Sequence, residues 1–272
     1  MKSNNKVKKR QVALIIAGHP RSGTGLLQTL CTWHPEMAVT SEFGNYTFLG
    51  QTYVAHARNI IGCWQRVRGE WAIDSAFAKD KQNYDGNNLI FTLRYLFYLG
   101  IGLQWRINAE SIETAYRRLF PQADVVGDKW PDYLFELGKF TKISNLKRIV
   151  IYRDCRDVTS SFLKKSRSDW SNTDWINKID TAEKIASRWV TGIKIMEAHS
   201  DKIFILQYES LMRQPEHELI RMGEYLGVDP AKFPGTIKPG SIGKYQEGLT
   251  DKELETIMEV AGPTMERLGY LA

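Results

Sequence analysis

The sequence has one early apolar run, from Val12 to Ala17, that leads directly into a glycine-containing turn. A continuous run of β-branched and aliphatic residues is typical of a strand buried on both faces of a sheet. After the turn, Leu26, Leu27 and Leu30 recur at the spacing of a helix. This segment is therefore predicted to form a strand, a tight loop and a helix, and such a strand needs helices on both sides of its sheet.

Three later apolar runs predict further strands, at residues 125–127, 146–152 and 203–206. Helical patterns lie between the runs, at about 110–119, 182–199 and 216–226. Alternating strands and helices predict an α/β fold with a central parallel sheet flanked by helices. Residues from about 43 to 120 are rich in aromatics and poor in strand signals, so we expect a helical insertion there. With no repeat or linker, residues 1–272 are predicted to form a single domain.

The composition of the chain indicates its cellular compartment and the kind of ligand it binds. The cysteines, Cys31, Cys63 and Cys155, are odd in number and scattered, which is not a disulfide framework, and no pair has metal-ligand spacing. Together with the lack of a visible signal peptide, this predicts a cytoplasmic protein. The net charge of +6 fits an anionic ligand, but no nucleic-acid motif accompanies it. The apolar stretch 89–103 contains Arg94 and is too short for a membrane span, so we expect a buried helix or, alternatively, an interfacial lid.

The turn after the first strand has the composition of a phosphate-binding loop. Gly18 and Gly23 allow backbone amides to face an anion, and the following helix presents its positive end to the same anion. A Walker A loop would continue with a lysine, whereas Thr24 follows Gly23 here, so Arg21 is the cation within the loop. No Walker B aspartate is evident either. These departures favour transfer of a group less charged than a phosphoryl group, without a metal.

Two segments together resemble the family of sulfotransferases that use 3′-phosphoadenosine-5′-phosphosulfate (PAPS). Pro20-Arg21-Ser22-Gly23-Thr24 is similar to the 5′-phosphosulfate loop of that family. Arg153, after the strand ending at Tyr152, and Ser161, eight residues later, are similar to its 3′-phosphate segment. The resemblance implies the P-loop-containing nucleotide-binding fold and a donor site formed by Arg21, Ser22, Gly23, Thr24, Gly25, Arg153 and Ser161. Two residues depart from the pattern, because Gly25 replaces a hydroxyl residue and Cys155 replaces a proline.

Weaker similarities to the same family extend along the chain. They imply that Tyr208 lies near the adenine and that Lys244, within Ser241-Ile242-Gly243-Lys244-Tyr245, lies near the 3′-phosphate. The stretch from Val126 to Pro131 resembles a motif of Golgi-type and many bacterial members, and implies that Lys129 contacts the transferring sulfate. Golgi-type members use a glutamate about twenty residues after the loop as base, which implies this role for Glu42. Of the five histidines, His56 in the insertion is the alternative base. The leaving phosphate needs a cation or an acid, a role that fits Lys129 and Arg21.

The resemblance implies transfer of a sulfuryl group from PAPS to a hydroxyl or amine, with 3′,5′-ADP as product and no metal required. The sequence has no long basic stripe of the kind that would bind a polyanionic glycan, so a small-molecule acceptor is expected. The oligomeric state is left open. Two alternatives remain: a P-loop kinase that transfers phosphate from ATP to a small molecule, and a non-catalytic nucleotide-binding module. Aromatic residues of the insertion are candidates for the acceptor pocket: Tyr46, Phe48, Tyr53, Trp64, Trp71, Tyr84, Phe91, Tyr95 and Trp105.

Overall fold

The computed structural model describes residues 11–66, 88–102, 105–168, 179–235 and 242–271. A five-stranded sheet lies at its centre, with the strand order β2-β3-β1-β4-β5. All four pairs of neighbouring strands are parallel. The strands are β1 (Val12–Gly18), β2 (Met37–Ser41), β3 (Val125–Lys129), β4 (Leu146–Tyr152) and β5 (Phe204–Gln207). The predicted α/β fold with a parallel central sheet is confirmed.

The central strand, β1, pairs with β3 on one side and β4 on the other. Its residues alternate between two cores: Ala13, Ile15 and Ala17 face one, and Leu14 and Ile16 face the other. All five side chains are buried. A strand covered on both faces must be apolar at every position, which explains the continuous run in the sequence.

Helices form the two layers that cover the sheet. The layer on the Leu14 side contains residues of α1 (Thr24–Trp33), α8 (Tyr208–Arg213) and α9 (Pro215–Leu226). The layer on the Ile15 side contains residues of α2 (Tyr53–Arg66), α3 (Asn88–Ile101), α4 (Ala109–Leu119), α5 (Leu137–Phe140), α6 (Cys155–Ser166), α7 (Ala182–Ala198) and α11 (Asp251–Arg267). A short helix, α10 (Tyr245–Gly248), precedes α11. Short 3₁₀ helices lie at Asn45–Phe48, Pro131–Glu136, Ser200–Lys202 and Pro230–Lys232.

Strand β2 is the one strand that the sequence patterns do not predict. It has five residues, all buried, but the last two are Thr40 and Ser41. A polar side chain is tolerated there because Thr40 Oγ1 donates a hydrogen bond of 2.6 Å to the buried carboxylate of Asp128 on β3. The consequence for the site is that Glu42 directly follows the end of a strand.

The apolar stretch 89–103 contributes most of α3, and this helix buries only one of its faces. Phe91, Tyr95 and Leu99 belong to the core, whereas Leu93 and Phe97 are exposed. The expectation of a buried helix is therefore correct for one face and wrong for the other. Among the residues that the structure describes, no helix is both long enough and apolar enough to cross a bilayer.

Candidate active site

The carboxyl ends of the five strands bring the predicted site residues to one edge of the sheet. Glu42 follows β2, Lys129 ends β3, the phosphate loop follows β1, Arg153 follows β4 and Tyr208 follows β5. The strand order places them along the edge in that same sequence. The phosphate loop therefore lies between the strand that carries Lys129 and the strand that leads to Arg153. This edge is where parallel α/β sheets bind their ligands.

The phosphate loop is held in a left-handed backbone conformation at two positions, Arg21 with φ 73° and Gly23 with φ 100°. A Cβ atom on Gly23 would lie 2.6 Å from the ring of Tyr208, so only glycine fits at this position. The ten-residue helix α1 begins directly afterwards at Thr24, which places its N-terminal amides at the loop. Ser22 Oγ is buried and forms no hydrogen bond within the described part of the chain. The loop thus combines turned amides, a helix N-terminus and a buried hydroxyl, the groups that bind an anion.

The two segments that carry the family resemblance are in direct contact. Arg21 Nε donates a hydrogen bond of 3.0 Å to Ser161 Oγ, across 140 residues of sequence. Ser161 lies in the second turn of α6, which starts directly after β4. The residues expected at the 5′ and 3′ ends of a donor are therefore brought together at one place.

Arg153 is held in position by contacts on several sides. Its guanidinium forms a buried ion pair of 3.1 Å with Asp157 and lies 4.5 Å from the centre of the Tyr208 ring. Its backbone carbonyl accepts a hydrogen bond of 2.9 Å from the indole of Trp189. Tyr208 consequently contacts both Gly23 and Arg153, which links the phosphate loop to the end of β4.

Asp157 also attaches the late loop of the chain to this edge. Its carboxylate accepts hydrogen bonds from the backbone amides of Gly243, at 2.9 Å, and Tyr245, at 3.0 Å. Lys244 lies between these two residues and has an exposed side chain. Ser241, the first residue of the predicted nucleotide loop, lies outside the described residues. Sequence reasoning gave Asp157 no role, although its carboxylate contacts Arg153 and both neighbours of Lys244.

Glu42 and Lys129 form the other charged pair of the edge. Lys129 Nζ lies 2.6 Å from Glu42 Oε1, with the lysine side chain 4% exposed and the glutamate side chain 30% exposed. The amide of Glu42 donates to the carbonyl of Lys129 at 2.7 Å. Within the described part of the chain, the non-glycine residues with positive φ are Arg21 and Glu42, the latter at 58°. This conformation costs about 1–2 kcal/mol per residue, and strain of this kind is concentrated at functional sites.

Asp128 holds the turn that contains Glu42. One carboxylate oxygen accepts hydrogen bonds from Thr40 Oγ1 and the Phe43 amide, and the other accepts from the Gly44 amide and the Tyr133 hydroxyl. Burial raises the pKa of Asp128, and these four hydrogen bonds oppose the rise. In the sequence, Asp128 stands out only as part of the motif from Val126 to Pro131. A carboxylate directly before a candidate catalytic lysine, at the end of a strand, was the signal that could have identified it.

His56, the alternative base, lies in the core of the insertion. It is fully buried, and its ring nitrogens lie 3.0 Å from the Tyr95 hydroxyl and 3.4 Å from the Phe48 carbonyl oxygen. Burial lowers the pKa of His56 to about 4, which the hydrogen bond with Phe48 opposes. The structure therefore brings Glu42, and not His56, into contact with Lys129.

The aromatic candidates for the acceptor pocket separate into several groups. Tyr46, Phe91 and Tyr95 are buried in the core, and Phe48 and Tyr53 pack against it. Trp105 is exposed. Trp71, Tyr84 and the side chain of Trp64 lie outside the described residues.

Gly25 lies in the first turn of α1 and is exposed. A Cβ atom built on this residue would meet nothing within 4 Å, so the site would accept the hydroxyl residue that is usual in the family. The space around Gly25 therefore does not explain why glycine replaces the hydroxyl residue here. As for metals, the described residues contain no group of three or more histidine, cysteine, aspartate or glutamate side chains able to hold an ion.

Comparison with known proteins agrees with the fold. The chain matches the model of the sulfotransferase family over residues 13–232. A search of curated protein sequences finds no match. The structure is similar to that of sulfotransferase STF9 from Mycobacterium avium, with a TM-score of 0.54 and 15% identity, over 94% of this chain and 76% of that one.

The solved structures of two sulfotransferase domains are similar as well. The domain from the curacin biosynthetic pathway has a TM-score of 0.54 and 17% identity, over 89% of this chain and 83% of that one. The domain from the olefin synthase of Synechococcus PCC 7002 has a TM-score of 0.51 and 19% identity, over 91% of this chain and 84% of that one. At these identities the similarity supports the fold.

The four hydrogen bonds of Asp128 make the substitution Asp128→Asn a test of its positioning role. The amide would turn two N–H donors toward groups that themselves donate, which should lower the free energy of unfolding by about 2–4 kcal/mol. Because the turn carrying Glu42, the candidate base, would shift, kcat should fall by about 100-fold. Binding of 3′,5′-ADP, measured calorimetrically below the unfolding transition, should change little.

The matched control is Asp132→Asn, which affects an exposed carboxylate paired with Arg188. It should change stability by less than about 1 kcal/mol. If Asp128→Asn lowered nucleotide binding as strongly as kcat, Asp128 would be a general structural residue and not one that positions Glu42.

Proposed function

The chain belongs to the sulfotransferase family and uses PAPS as donor, and we propose that Glu42 is the base that activates a hydroxyl or amine of a small-molecule acceptor. The observation that carries this proposal is the order of groups along the sheet edge. The Glu42–Lys129 pair lies on one side of the phosphate loop, and Arg153 with Tyr208 lies on the other. A donor with its sulfate toward Lys129 and its 3′-phosphate toward Arg153 matches this order.

The residues present fit such a donor. The loop from Arg21 to Thr24 would hold the 5′-phosphosulfate, with the buried hydroxyl of Ser22 as one hydrogen-bond donor. Arg153 and Ser161 would hold the 3′-phosphate, and Ser161 already contacts Arg21. We place Tyr208 near the adenine and Lys244 near the 3′-phosphate, because both neighbours of Lys244 are bound to Asp157, the partner of Arg153. Gly25 contributes a backbone amide of the first helical turn.

The proposed chemistry assigns one role to each member of the Glu42–Lys129 pair. The carboxylate of Glu42 takes the proton of the acceptor hydroxyl or amine as the new bond to sulfur forms. The bond between sulfur and the bridging oxygen breaks, and the electron pair remains on the 5′-phosphate of 3′,5′-ADP. Lys129 and Arg21 stabilise the charge that develops there. The contact of 2.6 Å keeps the base beside the cation that meets the sulfate.

Glu42 is a better candidate for the base than His56 for two reasons. Glu42 is partly exposed at the strand edge, so an acceptor can reach it, whereas His56 is fully buried. The ring of His56 is also engaged with Tyr95 and Phe48 in the core. A general base must be within hydrogen-bond reach of the proton it removes, which the burial of His56 does not allow.

Other parts of the proposal follow from the family and the sequence. We infer that the reaction needs no metal, that the acceptor is a small molecule, and that residues 1–272 act as one domain in the cytoplasm. The cationic groups at the edge, Lys129, Arg21 and Arg153, support metal-free transfer because they supply the positive charge that Mg²⁺ provides in ATP chemistry.

Nucleotide selectivity tests the donor site. We expect saturating 3′,5′-ADP, at about 100 times its Kd and with EDTA present, to stabilise the protein by about 2.7 kcal/mol, seen as a rise in Tm of about 5–10 °C. The matched control is 5′-AMP, which lacks only the 3′-phosphate and should give a much smaller shift. Stabilisation by ATP with Mg²⁺, without any effect of 3′,5′-ADP, would instead indicate a kinase.

Replacing the base tests the catalytic assignment. Glu42→Gln keeps the size of the side chain but removes its proton-accepting charge, so kcat should fall by about 10²–10⁴-fold. The rate is measured with labelled PAPS and an acceptor found by screening. The Kd for 3′,5′-ADP should stay within about twofold, since the 3′-phosphate and adenine groups are untouched.

The control for this substitution is Glu36→Gln, which affects a glutamate paired with Lys232 away from the sheet edge. Its kcat should equal that of the unaltered protein. Normal turnover by Glu42→Gln would refute Glu42 as the base. A protein that binds 3′,5′-ADP but transfers sulfate to no acceptor of a broad panel would be a non-catalytic module.

A further inference from the structure

Helix α3 is apolar on two opposite faces. Its inner face, with Phe91, Tyr95 and Leu99 at intervals of four residues, is buried in the core. Its outer face has the same spacing and is also apolar, but Leu93 is 54% exposed and Phe97 is 65% exposed. A surface helix normally has polar side chains at such positions. The outer face is therefore an exposed apolar surface without an explanation in the fold.

Two elements next to α3 carry further exposed apolar side chains. Helix α2 packs beside α3, where the hydroxyl of Tyr53 donates to the carbonyl of Leu96 at 3.0 Å. Trp105, which is 81% exposed, precedes Arg106, and Arg106 forms a β-bridge with Thr52 at the start of α2. We define the apolar patch as the exposed side chains Val54, Ile61, Leu93, Phe97, Ile101 and Trp105.

Among the described residues of α2, α3 and the segment 105–109, the charged side chains are all cationic. Residues 45–66 and 88–109 contain no aspartate or glutamate. In contrast, Arg58, Arg94 and Arg106 are exposed on the same elements. Arg118 adds a fourth cation, with its guanidinium 5.9 Å from the centre of the Tyr98 ring on α3. Exposed apolar side chains with arginines on the same and adjacent elements complement a partner that is both apolar and negatively charged.

We propose that the apolar patch binds the surface of an anionic membrane. Leucine, phenylalanine and tryptophan next to arginine are the combination with which interfacial helices enter the boundary between headgroups and acyl chains. Five of the exposed side chains lie on α2 and α3, and Trp105 lies on the segment before α4. Exposed side chains on helices suit insertion into lipid better than reception of a peptide helix in a groove. A second copy of the chain would bring arginines against arginines, which is unfavourable.

Vesicle flotation tests the proposal, using phosphatidylcholine vesicles with and without phosphatidylglycerol. The full chain should float with the anionic vesicles and bind neutral ones at least about tenfold more weakly, with binding that decreases as salt rises. Phe97→Asp should reduce binding to anionic vesicles by about tenfold or more. Replacing Arg58 and Arg94 by glutamine should weaken binding by roughly fivefold for each arginine.

The matched control is Ile220→Asp, because Ile220 is an exposed apolar residue on α9, outside the patch. It should bind vesicles like the unaltered protein. The thermal shift with 3′,5′-ADP should be unchanged in Phe97→Asp. This result would show that a loss of vesicle binding does not come from a loss of the fold. Equal binding by Phe97→Asp, or no binding to anionic vesicles, overturns the proposal. Analytical ultracentrifugation could also show a dimer that Phe97→Asp dissociates. That result would assign the patch to a second copy of the chain and overturn the membrane proposal.

Discussion

Parallel pairing of β1 with β3 and β4 is the constraint on which the site depends. The register pairs Ile16 with Lys129 and Gly18 with Ile151, so the ends of the three strands are fixed relative to one another. Neighbouring strands lie about 5 Å apart, a distance that side chains at their ends can bridge. A Cβ atom on Gly18 would lie 2.3 Å from the carbonyl oxygen of Ile151, so glycine lets β1 remain paired up to the point where the loop turns. Strand pairing consequently brings together the loops that follow these strands, although they come from distant parts of the chain.

Carboxylates determine where the cations of the site lie. Lys129 is held by Glu42 and Arg153 by Asp157, and both cationic side chains are largely buried. A buried cation without such a partner would cost several kcal/mol, so these pairs allow positive charge to be kept at the edge. Lysine has three N–H donors, and Glu42 takes one of them, so Lys129 can contact this carboxylate and an anion at once. Recognition of an anion at this edge therefore requires carboxylates as well as cationic side chains.

The sequence predicts the parts of the structure that depend on local pattern. The apolar runs before Gly18 and Arg153 mark β1 and β4 because these strands are buried on both faces, and the glycines mark the turn between β1 and α1. It does not predict β2, whose Thr40 is stabilised by Asp128, a residue 88 positions away. The role of Asp128 and the exposed face of α3 have the same origin, since both depend on which elements pack together. Long-range contacts of this kind leave no periodic signal in one sequence.

The departure at Cys155 shows how a family pattern can change without loss of the structure it supports. Proline suits the first residue of a helix because it lacks an N–H that would have no helical partner there. Cys155 occupies this position in α6, and the side chain of Asp154 caps the helix by accepting a hydrogen bond of 2.8 Å from the amide of Arg156. The thiol is fully buried, and burial raises its pKa, so it packs as a small apolar group. Helix α6 therefore has a capped start without a proline at its first position, with Arg153 just before the cap and Ser161 in the second turn.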